Sequence, residues 1–109
     1  MEEQEIKIKI KGEDWKIKIV KEIDKSDSGV DGLTDYLAHT IWVEYMSNLD
    51  YFYQVLTHEL IHATLYECGS DMCKDESLVF LLTNLIQSVC SSFDKILKDM
   101  KNDKRKCGR

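Results

Sequence analysis

His58, Glu59 and His62 form an H-E-x-x-H run within Leu56-Thr57-His58-Glu59-Leu60-Ile61-His62-Ala63. On a helix, two histidines four residues apart lie about 40° apart on one face, so both imidazoles can reach one metal ion. Glu59 falls roughly 60° from His62 around the same barrel. Its carboxylate then stands beside the metal, where it can take a proton from a water activated there. The chain holds 3 His and nine Glu in 109 residues. A random occurrence of the run is therefore expected on the order of once per hundred such chains.

A catalytic zinc takes three protein ligands and keeps one position open. His58 and His62 supply two, and His39 is the only other histidine in the sequence. Glu67 lies five residues past His62 on the same helix, about 140° away, and cannot fold back. Asp71, Asp75 and Glu76 follow the helix. Glu76 opens the next helix on the row of Val79, Thr83 and Ile86, and a carboxylate facing a core is expensive unless paired or on a metal. Glu76 is the first candidate for the third ligand. Asp75 is its rival, although it fits better as a helix N-cap.

Several residues could donate to a developing oxyanion: His39, Tyr36, Tyr45 and Tyr66. For His39 the plainer alternative is a solvated strand histidine. The backbone edge of His39-Thr40-Ile41-Trp42 is the expected substrate-binding element, since an extended peptide can add to a free strand edge with tolerance for many sequences.

These residues need elements to position them. Ile6, Ile8 and Ile10 alternate with Lys7, Lys9 and Lys11, and after Gly12-Glu13-Asp14 the residues Trp15, Ile17 and Ile19 alternate with Lys16 and Lys18. That predicts a β-hairpin over 5–20 with one apolar face. The lysine face also keeps the sheet soluble and its edges unpaired. Residues 24–33 read as a loop, and Tyr36 to Val43 as a third strand, rich in aromatic and β-branched residues. A helix follows from about Asp50 to Glu67, with Ser47 as N-cap and Gly69 as stop. Its apolar residues spread around the barrel, which predicts burial on several sides. A last helix runs from about Asp75 to Lys101, with Leu78, Leu82, Leu85, Val89, Phe93, Ile96 and Met100 as core stripe. The fold class expected is α+β, a three-stranded antiparallel or mixed sheet on two core helices in the order β-β-β-α-α. One domain spans 1–109, with 1–5 and 102–109 as frayed ends.

Composition bounds the function classes. Apolar residues make up 43% and charged residues 32% of the chain, as in ordinary globular proteins. The net charge of −5 argues against nucleic acid as main partner. The segment from Lys95 to Arg109 reverses the sign with seven Lys/Arg and reads as a solvated helix end. Met1-Glu2-Glu3-Gln4-Glu5 is unlike a signal peptide, and no run approaches ~20 uninterrupted apolar residues, so no membrane span is expected. A reducing cytoplasm is the expected location, with Cys68, Cys73, Cys90 and Cys107 as free thiols.

The chain resembles the small gluzincin-like "minimal zincin" metallopeptidases of phage and prophage type. The resemblance runs from about Gly32 to Ile86 and comprises Gly32-Leu33-Thr34-Asp35-Tyr36, Thr40-Ile41-Trp42-Val43, the Leu56 to Ala63 run, Gly69 and Glu76-Ser77-Leu78-Val79-Phe80-Leu81. It implies His58, His62 and Glu76 as zinc ligands, Glu59 as general base, zinc as cofactor and a peptide or protein as substrate. Related domains often carry Glu-Ala-Asn-x-Phe-Ala where this chain has Glu76 to Leu81, so it lacks their asparagine. The alternative function is a phage-type interaction protein, a regulator of a host factor whose zinc is mainly structural.

Overall fold

The computed structural model describes residues 3–23 and 31–106, with side chains described to Asn102. In chain order the elements are β1 (Gln4–Ile10), β2 (Glu13–Val20), β3 (Gly32–Asp35), β4 (Thr40–Glu44), α1 (Leu49–Glu67) and α2 (Glu76–Lys106). The class is α+β with a four-stranded sheet and two helices.

The hairpin forms as its alternation predicts, with Ile6 opposite Ile17 and Ile8 opposite Trp15. Lys11 and Gly12 both take positive φ, 52° and 84°, as a two-residue type I′ turn requires. The sheet order is β1-β2-β4-β3. β4 runs parallel to β2, pairing Ile41 with Ile17, and antiparallel to β3, so the sheet is mixed. One face buries Trp15, Ile17, Ile19, Ile41 and Val43 against Ala63 of α1. Burying each of these larger side chains stabilises by roughly 1.5–3 kcal/mol.

The strand expected over Tyr36–Val43 forms only from Thr40 on, as β4, while Tyr36 to His39 make the reversal from β3. Asp35 Oδ1 accepts from Ala38 N at 3.0 Å, Thr40 Oγ1 donates to the Ala38 carbonyl, and His39 adopts φ 48°. A polar side chain that bonds nearby backbone offers a turn where composition alone suggests extended chain. Of the expected loop, residues 24–30 lie outside the described residues, while Gly32 and Leu33 belong to β3. β1 already includes Gln4 and Glu5, and α2 continues to Lys106, so both ends are more regular than expected.

Asn48, not Ser47, caps α1, its Oδ1 accepting from Tyr51 N at 3.1 Å. At the other end Gly69, at φ 76°, donates to the Tyr66 carbonyl and Ser70 donates to the Leu65 carbonyl, which is a Schellman stop. Burial on α1 is concentrated in Glu59, Ile61, His62 and Ala63, while Tyr51 and Tyr53 stay exposed. The helix is enclosed at its middle and open elsewhere, less than its apolar spread suggests.

Asp75 starts α2 by accepting from Leu78 N at 3.0 Å. Glu76 stands beside His58 and His62, whereas Phe80 and Thr83 share a cleft with Tyr51 and Val55, so α2 runs back along α1. With 31 residues against 19, it outruns its partner. Among the described side chains of α2 only Val79 and Thr83 are buried, Leu78 and Leu82 are half-buried, and the expected core stripe is exposed from Leu85 to Met100. Its segment Glu76–Asn102 is long and apolar enough, by length and composition, to cross a membrane. Cys68, Cys73 and Cys90 are unpaired, and Cys107 lies outside the described residues.

Candidate metal centre

The Schellman stop turns the chain at Gly69, and the short segment to Asp75 brings the first residue of α2 over the middle of α1. His58, His62 and Glu76 thereby converge, each offering one ligand atom within 4.8 Å of the others. His58 Nε2 and His62 Nε2 are 3.3 Å apart, and Glu76 Oε1 lies 3.2 Å from the first and 2.6 Å from the second. Asp75 is engaged in the helix cap, and of the two rivals it is Glu76 that stands with the histidines.

The tautomer of His62 follows from its other nitrogen. Nδ1 meets the carbonyl oxygen of Cys73, which can only accept, so Nδ1 donates there and Nε2 is the nitrogen turned to the cluster. A carboxylate and that nitrogen converge there, so the donor set suits a cation. Tetrahedral zinc with N and O ligands at ~2.0–2.1 Å separates those ligands by roughly 3.3 Å, close to two of the three spacings found.

Glu59 is buried, 8% exposed, and its Oε1 accepts from Thr34 Oγ1 at 2.8 Å. Burial pushes its carboxyl above the ordinary glutamate range, against the opposing pull of the Thr34 hydrogen bond and of His62 and His58. β3 comes so close to α1 that a Cβ on Gly32 would meet Glu59 Cγ and Val55 Cγ1 at 2.9 Å. Tyr36, from the turn after β3, donates to the Cys73 carbonyl at 3.1 Å, and its hydroxyl is 3.2 Å from His62 Nδ1. Burial, followed by the neighbouring Cys73 and Glu59, pushes the Tyr36 hydroxyl up to about 12, so it is protonated at neutral pH.

Two clefts flank the centre and share Gly32, Glu59 and Glu76. One, of about 300 Å³, runs past Thr34, Tyr36 and Lys74. The other, of about 420 Å³, runs past Tyr51, Gln54 and Phe80. A wider hollow of about 870 Å³ continues the first along Leu33, Leu37 and Tyr66.

The remaining candidates sit elsewhere. His39 stacks on Trp15 with ring centroids 4.6 Å apart and places Nε2 3.8 Å from Glu67 Oε2. Neither contact touches the centre, so His39 is part of a packing cluster, neither a solvated strand residue nor an oxyanion donor. Glu67, which also accepts from Trp15 Nε1 at 2.7 Å, is likewise engaged away from the histidines. Tyr45 lines a hollow with Gln4 and Ile19, and Tyr66 packs its ring on Tyr36. Thr40, Ile41 and Trp42 lie in β4, paired on both sides, and cannot receive a peptide by edge addition. Among the described residues the free sheet edge beside Glu59 is β3.

Sequence reasoning missed Thr34, Gly32 and the Cys73 carbonyl as parts of the site. The first two stand in the Gly32-Leu33-Thr34-Asp35-Tyr36 segment, where only the family resemblance drew attention to them. A backbone carbonyl leaves no residue-type signal. No family model, curated protein or solved structure matches the chain.

Proposed function

We propose that the protein is a zinc-dependent peptide hydrolase built on a minimal zincin core, with His58, His62 and Glu76 as the metal ligands. The observation that carries this reading is the convergence of those three ligand atoms within 4.8 Å beside the buried carboxylate of Glu59. A zinc ion held there supplies a Lewis acid that polarises a carbonyl and makes water a nucleophile at neutral pH.

The chain's own groups do the rest. Glu59 accepts the proton of the attacking water and passes it to the leaving amine. Thr34 fixes Oε1 of that carboxylate by its hydrogen bond, and Gly32 lets β3 approach closely enough to hold it. Cys73, through its carbonyl, and Tyr36 orient the His62 ring, the outer-shell support that metal-bound imidazoles need. An extended peptide adds to the outer edge of β3, with its side chains entering the two flanking clefts.

The test is bound zinc and cleavage of a peptide library for the wild type, Glu59→Gln and His58→Ala. Hydrolysis requires Glu59→Gln to keep zinc and lose cleavage by at least ~10²-fold, as expected for removing the general base. Full cleavage by Glu59→Gln would sink the reading. Zinc retained at full stoichiometry in His58→Ala would sink the ligand set.

A further inference from the structure

The second half of α2 leaves the body of the protein and carries an apolar stripe that nothing covers among the described residues. Leu85, Ile86, Val89, Phe93, Ile96, Leu97 and Met100 are each 43–59% exposed. Leu82 to Phe93, Leu85 to Ile96, Ile86 to Leu97 and Val89 to Met100 are all eleven residues apart. An 11-residue repeat gives 3.67 residues per turn, so the stripe runs nearly straight along the helix instead of drifting around it. Seven half-exposed large apolar side chains on one stripe make a contiguous patch of the kind that marks an interaction surface on a monomer. The radius of gyration, 16.8 Å, also exceeds the ~13 Å of a compact chain of about this length, because the helix projects from the body.

We infer that α2 pairs with the α2 of a second copy of this chain, in antiparallel orientation about the level of Ser91. A two-fold interface must be self-complementary. Rotation about Ser91 takes Leu85 onto the partner's Leu97, Ile86 onto the partner's Ile96 and Val89 onto the partner's Phe93, so apolar residues meet apolar residues throughout. Charge selects the orientation. The helix opens with Asp75 as cap and Glu76 as first residue, and its last turns carry Lys101, Lys104, Arg105 and Lys106 against Asp103. Antiparallel pairing lays each basic end against the partner's acidic start and opposes the helix dipoles, whereas parallel pairing would bring two basic ends together. A bilayer-spanning helix is the competing occupant. The one-sided stripe argues against it, because Asn84, Gln87, Ser88, Asp94, Lys95 and Lys98 occupy the rest of the barrel. The apolar stripe lies outside the metal centre, and only Glu76, at the acidic start of the helix, belongs to both.

Light scattering across a concentration series, with and without chelator, reads the mass. Twice the 12.7 kDa of one chain is expected in both conditions. Val89→Asp with Phe93→Asp, both at exposed positions, should keep the helical circular dichroism and weaken self-association on the order of a hundredfold or more. Orientation is read on the wild type with a short amine-reactive cross-linker. Lys74 and Lys106 lie roughly 45 Å apart within one chain at 1.5 Å rise per residue, so a link between them is intermolecular and antiparallel. A monomer at every concentration, a dimer untouched by the double substitution, or links joining the two basic ends in mixed isotope-labelled chains would each overturn the inference. So would a monomer that co-floats with phosphatidylcholine vesicles.

Discussion

Gly32 and Glu59 are in such close approach that the glycine's missing side chain is part of the site: a Cβ there would fall 2.9 Å from Glu59 Cγ and 3.0 Å from its Oε2. The β3 backbone is therefore the wall that fixes where the carboxylate stands. Gly32→Ala should displace Glu59 or β3, because both near neighbours are hemmed in and Val55 crowds the same point. Overpacking of this kind destabilises by about 1–3 kcal/mol. Denaturant unfolding measures that loss, and zinc affinity should stay near wild type because no ligand is touched. Wild-type stability in Gly32→Ala would show that β3 yields freely there.

The proposed zinc ligands should separate from their supports by magnitude. His62→Ala and Glu76→Ala each remove one of the three proposed ligands and should abolish stoichiometric binding at micromolar zinc. Tyr36→Phe removes only the hydroxyl that donates to the Cys73 carbonyl. Outer-shell losses weaken metal affinity by about 10–100-fold, and the low end applies because His62 keeps its own bond to that carbonyl. Competition titration with a chromophoric chelator resolves these cases. Unchanged binding in Glu76→Ala would move the third ligand elsewhere.

How much of this was legible in the residues depends on the kind of signal each part carries. Period-two alternation made the β1–β2 hairpin plain, and Gly69 marked the helix stop. His58, Glu59, His62 and Glu76 were nameable because ligand chemistry restricts residue type and spacing. The β3–β4 reversal was not, since Asp35 and Thr40 bond the backbone locally within a segment whose composition favours strands. That error also assigned the edge to the wrong strand: β4 has the aromatic and β-branched residues, but they serve a strand paired on both sides. The α2 stripe was legible as apolar and not as exposed, because periodicity shows which residues share a face and not whether α1 is long enough to cover it.

Trp15 is the largest of the fully buried side chains described in the sheet, 1% exposed, and its indole N–H donates to Glu67 at 2.7 Å. Glu67→Ala strips that donor of its acceptor inside the core, which costs about 1–3 kcal/mol. Glu67→Gln retains an oxygen acceptor and should recover most of the loss. Unfolding curves for the two variants distinguish a hydrogen-bond role from simple side-chain packing, for which the alanine alone would show little deficit. The proposed zinc site, about 140° round α1 from Glu67, should bind as in wild type in both.

Glu59 yields a pH prediction whose sign follows from its raised carboxyl. In the metal-free chain burial makes the folded Glu59 anion costlier than the unfolded one. As pH falls, the folded carboxyl protonates first and the penalty fades, being gone below the ordinary glutamate range. Glu59→Gln keeps an oxygen for Thr34 and removes the charge, so with chelator present it should be more stable than wild type at neutral pH. The difference should shrink steadily toward acid. Denaturant midpoints from neutral pH down to the ordinary glutamate range measure it. A gap that stays constant or widens in acid would show that the pull of Thr34 and the two histidines outweighs the burial of the carboxylate.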